Sequence, residues 1–184
     1  MDLRQIAKKK TLFGELKAIE NTPLDSKILT GLGFTLVNYV DLDEYKSIEE
    51  LCTQPIILFT PVETAYDGHY SCLFLLDGNL MYWCSYGYGI KKTITLSKYL
   101  MNNSPDKMSL INLVNDFITR TGGRFIENNV RFQSLENHMS TCGRYSICRV
   151  IKSEMSHEEF NYWFNKRPAG MDNDQLISAI TYLV

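Results

Sequence analysis

An Asp77-Gly78-Asn79 turn, set between two β-rich runs at residues 70–76 and 80–83, constrains this chain more than any other feature. Asp-Gly supplies the positive φ angles of a tight turn, so the two runs are predicted to pair as an antiparallel hairpin. A short apolar run at residues 56–60, following Pro55, predicts a further buried strand. A hairpin and one strand need helices or more strands to cover them. The flanks provide helical patterns. Residues 43–51, 95–101, 107–119, 140–154 and 172–183 read as helices. In the third of these, Leu110, Leu113, Val114 and Phe117 share one face, and Thr121-Gly122-Gly123 ends the pattern. Ser156 with Glu159 three residues later forms a capping-box pattern for another helix, where Phe160, Trp163 and Phe164 fall at helical spacing as core contacts. Residues 130–132 read as an additional strand, and residues 1–28 as a charged N-terminal helical extension broken at Pro23. Strands between helical flanks predict an α+β fold with a small central mixed sheet. No composition shift marks a linker, so residues 1–184 are expected to form a single domain.

Composition matters mainly for what it excludes. Hydrophobic residues make up 45% of the chain and aromatics 12%, enough for a packed core and too much for a disordered chain. A net charge of −2 argues against a general nucleic-acid binder, although Lys8-Lys9-Lys10 is a local basic run, read as a solvated face. The longest apolar run, residues 55–59, is far short of a membrane span, and the charged N-terminus lacks the apolar centre of a signal peptide. No membrane partner is expected. Five cysteines at irregular spacing suit neither a disulfide framework nor a structural zinc site. The three histidines, His69, His138 and His157, have no companion at metal-ligand spacing, so no metal and no cofactor are expected. Taken alone, His69 reads as a polar side chain exposed at a sheet edge, and His157 as solvated in a first helical turn.

Cys142 stands apart from the other cysteines. It lies where the polar stretch Ser140-Thr141 runs into the apolar helix pattern, with Ser140 or Thr141 as N-cap. A thiolate there would feel the positive end of the helix and free backbone N–H groups, which lower a thiol pKa and can also bind an oxyanion. Gly143 would allow close approach of a substrate. Cys72 and Cys148, among apolar neighbours, read instead as small core residues. Thiol catalysis needs a base, an orienter for the base and oxyanion donors. The chain offers His69, then a hairpin, then Gln133, then Cys142, in that order.

These segments resemble a known family. Gly68-His69-Tyr70, the hairpin, and Tyr82-Trp83-Cys84-Ser85-Tyr86-Gly87 look like the Gly-His-Trp … Phe-Asp-Ser-Tyr-Gly block of the adenovirus-type (adenain-like) cysteine proteases, a group that includes the SUMO and ubiquitin-like proteases. Gln133-Ser134 followed by Thr141-Cys142-Gly143-Arg144-Tyr145 resembles the Gln-Ser … Cys-Gly-x-Tyr block. Residues 45–51, and Phe160 with Asn173-Asp174, agree more weakly. The likeness covers residues 29–184 and is strongest to the maturation proteases of virophages, polintons and large DNA viruses.

The resemblance implies a papain-like/adenain-like cysteine protease fold. It implies Cys142 as nucleophile, His69 as general base and acid, and Gln133 as oxyanion donor, with Asn137 as the alternative donor if the alignment slips. Tyr70 replaces the usual Trp beside the His. Cys84 stands where the family carries the acid or amide that orients the His. Ser85, a water, or no third residue at all could fill that role. The implied function is a monomeric endopeptidase, in the virion and host-cell cytoplasm, that cuts viral capsid precursors at Gly-rich sites, with DNA or a peptide as an activating partner. Two alternatives remain: removal of ubiquitin-like tags, and an impaired homologue that serves assembly.

Overall fold

The computed structural model describes residue 24 and residues 26–103, 108–135, 140–166 and 170–181. Helix α1 (Ser26–Gly31) leads into strand β1 (Thr35–Asn38), a 3-10 helix (Tyr39–Glu44) and α2 (Ile48–Leu51). Strands β2 (Ile56–Pro61), β3 (Gly68–Leu76) and β4 (Asn79–Cys84) follow, then helices α3 (Ile90–Leu96), α4 (Lys98–Asn103) and α5 (Ser109–Thr121). Strand β5 (Phe125–Glu127) precedes α6 (Cys142–Ile151), α7 (His157–Asn165) and α8 (Asn173–Ile180). The fold is α+β. Its five strands form one mixed sheet in the order β1-β2-β3-β4-β5. The hairpin β3–β4 and the pair β2–β3 are antiparallel, and β1 and β5 join the two edges in parallel. The turn is as read: Asp77 and Gly78 both take positive φ, at 49° and 73°.

Strand residues alternate between two faces. Ile56, Leu58, Leu73, Leu80, Tyr82 and Cys84 pack against the 3-10 helix, α2, α3, α4 and α5. Cys72, Phe74, Met81 and Trp83 pack on the other face under α6, α7 and α8. There an aromatic cluster of Trp83, Phe132, Tyr145, Phe160 and Phe164 fills the space, with ring centroids 5.2–6.4 Å apart. Such contacts contribute about 0.5–1.5 kcal/mol per pair beyond the area they bury.

Several element boundaries differ from the sequence reading, each for a local reason. The helix read over residues 95–101 breaks at Ser97, whose buried hydroxyl donates to the Pro61 carbonyl and accepts from the Leu100 N–H. Residues 43–51 split into a 3-10 turn and α2, which starts after the N-cap Ser47. Residues 130–132 are not a strand. The fifth strand lies at Phe125–Glu127, and the side chain of Asn128 then bonds the Cys84 backbone where no fourth ladder residue follows. Strand β1 was not foreseen, because it has only four residues and a single buried position. The capping boxes at Ser156 and Asp172 and the left-handed Gly122 cap of α5 form as their sequences dictate. Of the N-terminal extension, Leu24 and residues 26–28 are described, and the latter open α1. The readings made for residues 1–23, Lys8-Lys9-Lys10 among them, lie outside the described residues.

Candidate active site

His69 is the second residue of β3, and β3 is the middle strand. It is therefore not at a sheet edge, and only 9% of its surface is exposed, contrary to the sequence reading. Ser71 pairs with Cys84 across the hairpin. His69 lies two residues earlier on the same face, so its ring falls diagonally across from Cys84. His69 Nε2 and Cys84 Sγ are 3.2 Å apart. Tyr86 stacks on the imidazole, with centroids 4.9 Å apart and planes at 31°.

The surroundings of Cys84 are built with care for one atom. Asn128 grips its backbone on both sides, Oδ1 accepting from the Cys84 N–H at 2.7 Å and Nδ2 donating to its carbonyl at 2.9 Å. The turn after β4 reverses through Gly87 at φ 68°, where a Cβ would come within 2.9 Å of the Val130 backbone. In that turn the Gly87 N–H donates to the Cys84 carbonyl at 2.9 Å, and the backbone N–H groups of Tyr88 and Tyr86 favour a charge on the Cys84 sulfur. Burial dominates over these donors and pushes the Cys84 thiol up to about 11.

Cys142 is the first residue of α6, packed on the opposite face of the sheet from His69. Both side chains nevertheless line one cleft of about 450 Å³, near the start of β3, together with Asp67, Tyr70, Tyr86 and Gly143. No hydrogen bond joins His69 to Cys142 in this structure. A second groove of about 630 Å³ adjoins this cleft, and the two share the wall formed by Leu24, Asp67, Gly68 and Tyr70. Tyr70 thus borders the thiol.

Electrostatics departs from the sequence reading. Cys142 does sit at a helix start, but burial raises its thiol pKa. Backbone N–H groups of Tyr70, Gly143 and Cys142 oppose that shift without reversing it, and the Asp67 carboxylate adds to it. Burial also pushes His69 down to about 4. The resting site therefore holds a neutral thiol and a neutral imidazole, not a preformed ion pair.

Gln133 is not among the residues that line the cleft. It is 1% exposed, and its Oε1 accepts from Ser85 Oγ at 2.7 Å. Ser85 thus serves Gln133 and not His69, which removes it as the orienter of the histidine. The two loops are further joined where the Gln133 and Phe132 N–H groups donate to the Ser85 carbonyl at 3.0 and 2.8 Å. Asn137, the alternative donor, and His138 lie outside the described residues. His157 is not solvated. It is 8% exposed, and Nε2 donates to the Ile126 carbonyl at 3.2 Å. Among the described residues, no group of His, Cys, Asp and Glu side chains could hold a metal ion, and no helix is long and apolar enough to cross a membrane.

Sequence reasoning missed the roles of Asn128 and Asp174. Neither carries a local signal, because each acts on backbone brought near it only by the fold. Searches of protein-family models, curated proteins and solved structures found no match to this chain.

Proposed function

We propose that this chain is a cysteine endopeptidase of the adenovirus type, with a papain-like/adenain-like fold, that cleaves viral capsid precursors at Gly-rich sites during virion maturation. One observation carries the reading: His69 and Cys142, from opposite faces of the sheet, line a single cleft, with the thiol at a helix start. The aromatic side chains of Tyr70 and Tyr86 border that cleft, and a narrow aromatic slot favours glycine beside the scissile bond. The adjoining groove has room for the residues that flank it.

The neutral resting pair sets the order of events. His69 Nε2 faces Cys84, so Nδ1 is the nitrogen that serves Cys142. As the sulfur attacks the scissile carbonyl carbon, its proton passes to His69 Nδ1 and the carbonyl electron pair moves to oxygen. Backbone N–H groups at the start of α6 face that developing charge. Gln133, buried outside the cleft lining, joins them as side-chain donor only by turning its Nε2 toward Cys142 while Oε1 stays on Ser85. Collapse expels the amine, which takes the proton from His69 and leaves a thioester on Cys142. Water, deprotonated by His69, then releases the acid and the thiol. Action in the virion and host-cell cytoplasm, as a monomer, and stimulation by DNA or a peptide belong to the same reading.

The neutral site at Cys84 also favours a second reading, an impaired homologue retained for assembly. One experiment separates them. Purified protein is incubated with a capsid precursor containing a Gly-Gly site, beside Cys142→Ala and beside a tag-derived fluorogenic substrate. The expected result is cleavage of the precursor by wild type and at least a thousandfold loss in Cys142→Ala. Faster turnover of the tag substrate would redirect the reading to tag removal. Equal, negligible rates for both proteins would leave the assembly role.

A further inference from the structure

Asp174 is a buried carboxylate that the chemistry above does not use. It is the second residue of α8 and only 3% exposed. None of the lysines or arginines among the described residues pairs with it. Burying an unpaired carboxylate is costly unless hydrogen bonds replace its water. Here they do, and they come from two separate segments. Oδ2 accepts from the Ser134 N–H at 2.8 Å, directly after Gln133. Oδ1 accepts from the Thr141 hydroxyl at 2.5 Å, directly before Cys142. One carboxylate thus spans the two ends of the segment that separates the oxyanion donor from the nucleophile.

Neighbouring contacts brace the same junction. Asn173 Nδ2 donates to the Phe132 carbonyl at 3.0 Å, and the Tyr145 hydroxyl donates to that carbonyl at 3.2 Å. At the far end of α8, Arg144 Nη1 donates to both the carbonyl and the hydroxyl of Thr181, each at 3.2 Å. Both ends of helix α8 are therefore tied to the start of α6, between Thr141 and Arg144.

We infer that Asp174 is a positioning residue: its two carboxylate oxygens set the placement of Gln133 relative to Cys142, acting through Ser134 and Thr141. It touches neither reacting atom. This inference rests on the protease reading for its effect on turnover, but its effect on the Cys142 thiol can be read without any substrate.

The test compares wild type, Asp174→Ala, Asp174→Asn and a packing control on the same helix, Leu176→Val. Alanine removes the acceptor of both bonds. Asparagine restores both bonds, with Oδ1 accepting from Ser134 and Nδ2 donating to a rotated Thr141 hydroxyl. Three quantities are read: kcat and KM on a Gly-Gly peptide, the second-order rate of iodoacetamide with Cys142 by mass spectrometry, and the thermal midpoint. Asp174→Ala is expected to lower kcat at least twentyfold with KM within about twofold, and to change the Cys142 alkylation rate at least fivefold. Asp174→Asn is expected to stay within about threefold of wild type on both. Leu176→Val should lower the midpoint alone. If Asp174→Ala lowers the midpoint like Leu176→Val but leaves kcat and alkylation unchanged, Asp174 is only a helix anchor and the inference fails. If wild type cleaves nothing, the protease reading fails, and the alkylation rates still decide the role of Asp174. Should Asp174→Ala not fold, Thr141→Val removes one of the two bonds, and the same kcat and alkylation changes, smaller in size, are expected of it.

Discussion

The imidazole of His69 has lost most of its basicity before any substrate arrives, and the partner at its Nε2 does little to restore it. A neutral thiol can either accept from the imidazole N–H or donate to the bare nitrogen, so Cys84 fixes neither the tautomer nor the charge. A carboxylate would do both. The backbone N–H groups of Tyr88 and Tyr86 already favour a charge at the Cys84 sulfur and would stabilise an anion in its place. Cys84→Asp is therefore expected to raise kcat/KM at least about tenfold, whereas a fall would show that the thiol has its own role. The histidines also govern acid stability. His69 and His157 are both pushed down by burial to about 4, against 6.5 when unfolded. Between those values the unfolded chain binds more protons, so stability is complete above about pH 6.5 and is lost as the pH falls toward 4. Each histidine contributes on the order of 3 kcal/mol to that loss. In urea titrations across this window, His157→Gln should flatten the pH dependence by roughly half. An unchanged slope would show that His157 is not responsible.

At the scale of elements, α6 joins the chemistry to the core. Its first residue is Cys142, its second is Gly143, and the rest of its buried face packs on the sheet. A Cβ on Gly143 would lie 3.3 Å from both Leu24 Cβ and Tyr70 Cδ2. Those neighbours must yield, and Tyr70 is a wall of the cleft. Gly143→Ala is expected to reduce kcat/KM tenfold or more while shifting the thermal midpoint by only a few degrees, as read by peptide assay and calorimetry. A variant as active as wild type would mean that Tyr70 moves freely and does not shape the slot. The period of the strands explains the other half of the site. Positions 69, 71 and 73 of β3 face the same way as 80, 82 and 84 of β4, which is why His69 finds Cys84.

The whole molecule holds the site at the seam between the core on one face of the sheet and the two clusters on the other, the smaller of which packs against Cys142. Because the sheet is common to both, neither core can open without exposing the other, and unfolding should be a single transition. Phe160 is fully buried in the second core, against Trp83, Phe132, Trp163 and Phe164. Phe160→Ala should cost about 3–5 kcal/mol. Fluorescence of buried Trp83 and far-UV circular dichroism should shift together along one denaturant curve. Two separated transitions would mean that the faces fold independently.

The hairpin, the buried strand, the cap of α7 and the end of α5 were legible from residues alone. Each depends on neighbours within a few positions: a turn that needs positive φ, a side chain that caps its own helix, or an apolar face at helical spacing. His69 and Cys142 were legible as a pair only through the order of short blocks. Tertiary structure decided the rest. It placed β3 at the centre of the sheet, and so buried a histidine that local sequence would leave in water. It turned Ser85 toward Gln133, and it set Asn128 and Asp174 on backbone far away in the chain. Their partners are 44 and 40 residues distant, and no periodicity reaches that far. Burial, a property of the whole fold, also set the charges: it overrode the helix start at Cys142 and left thiol and imidazole both neutral.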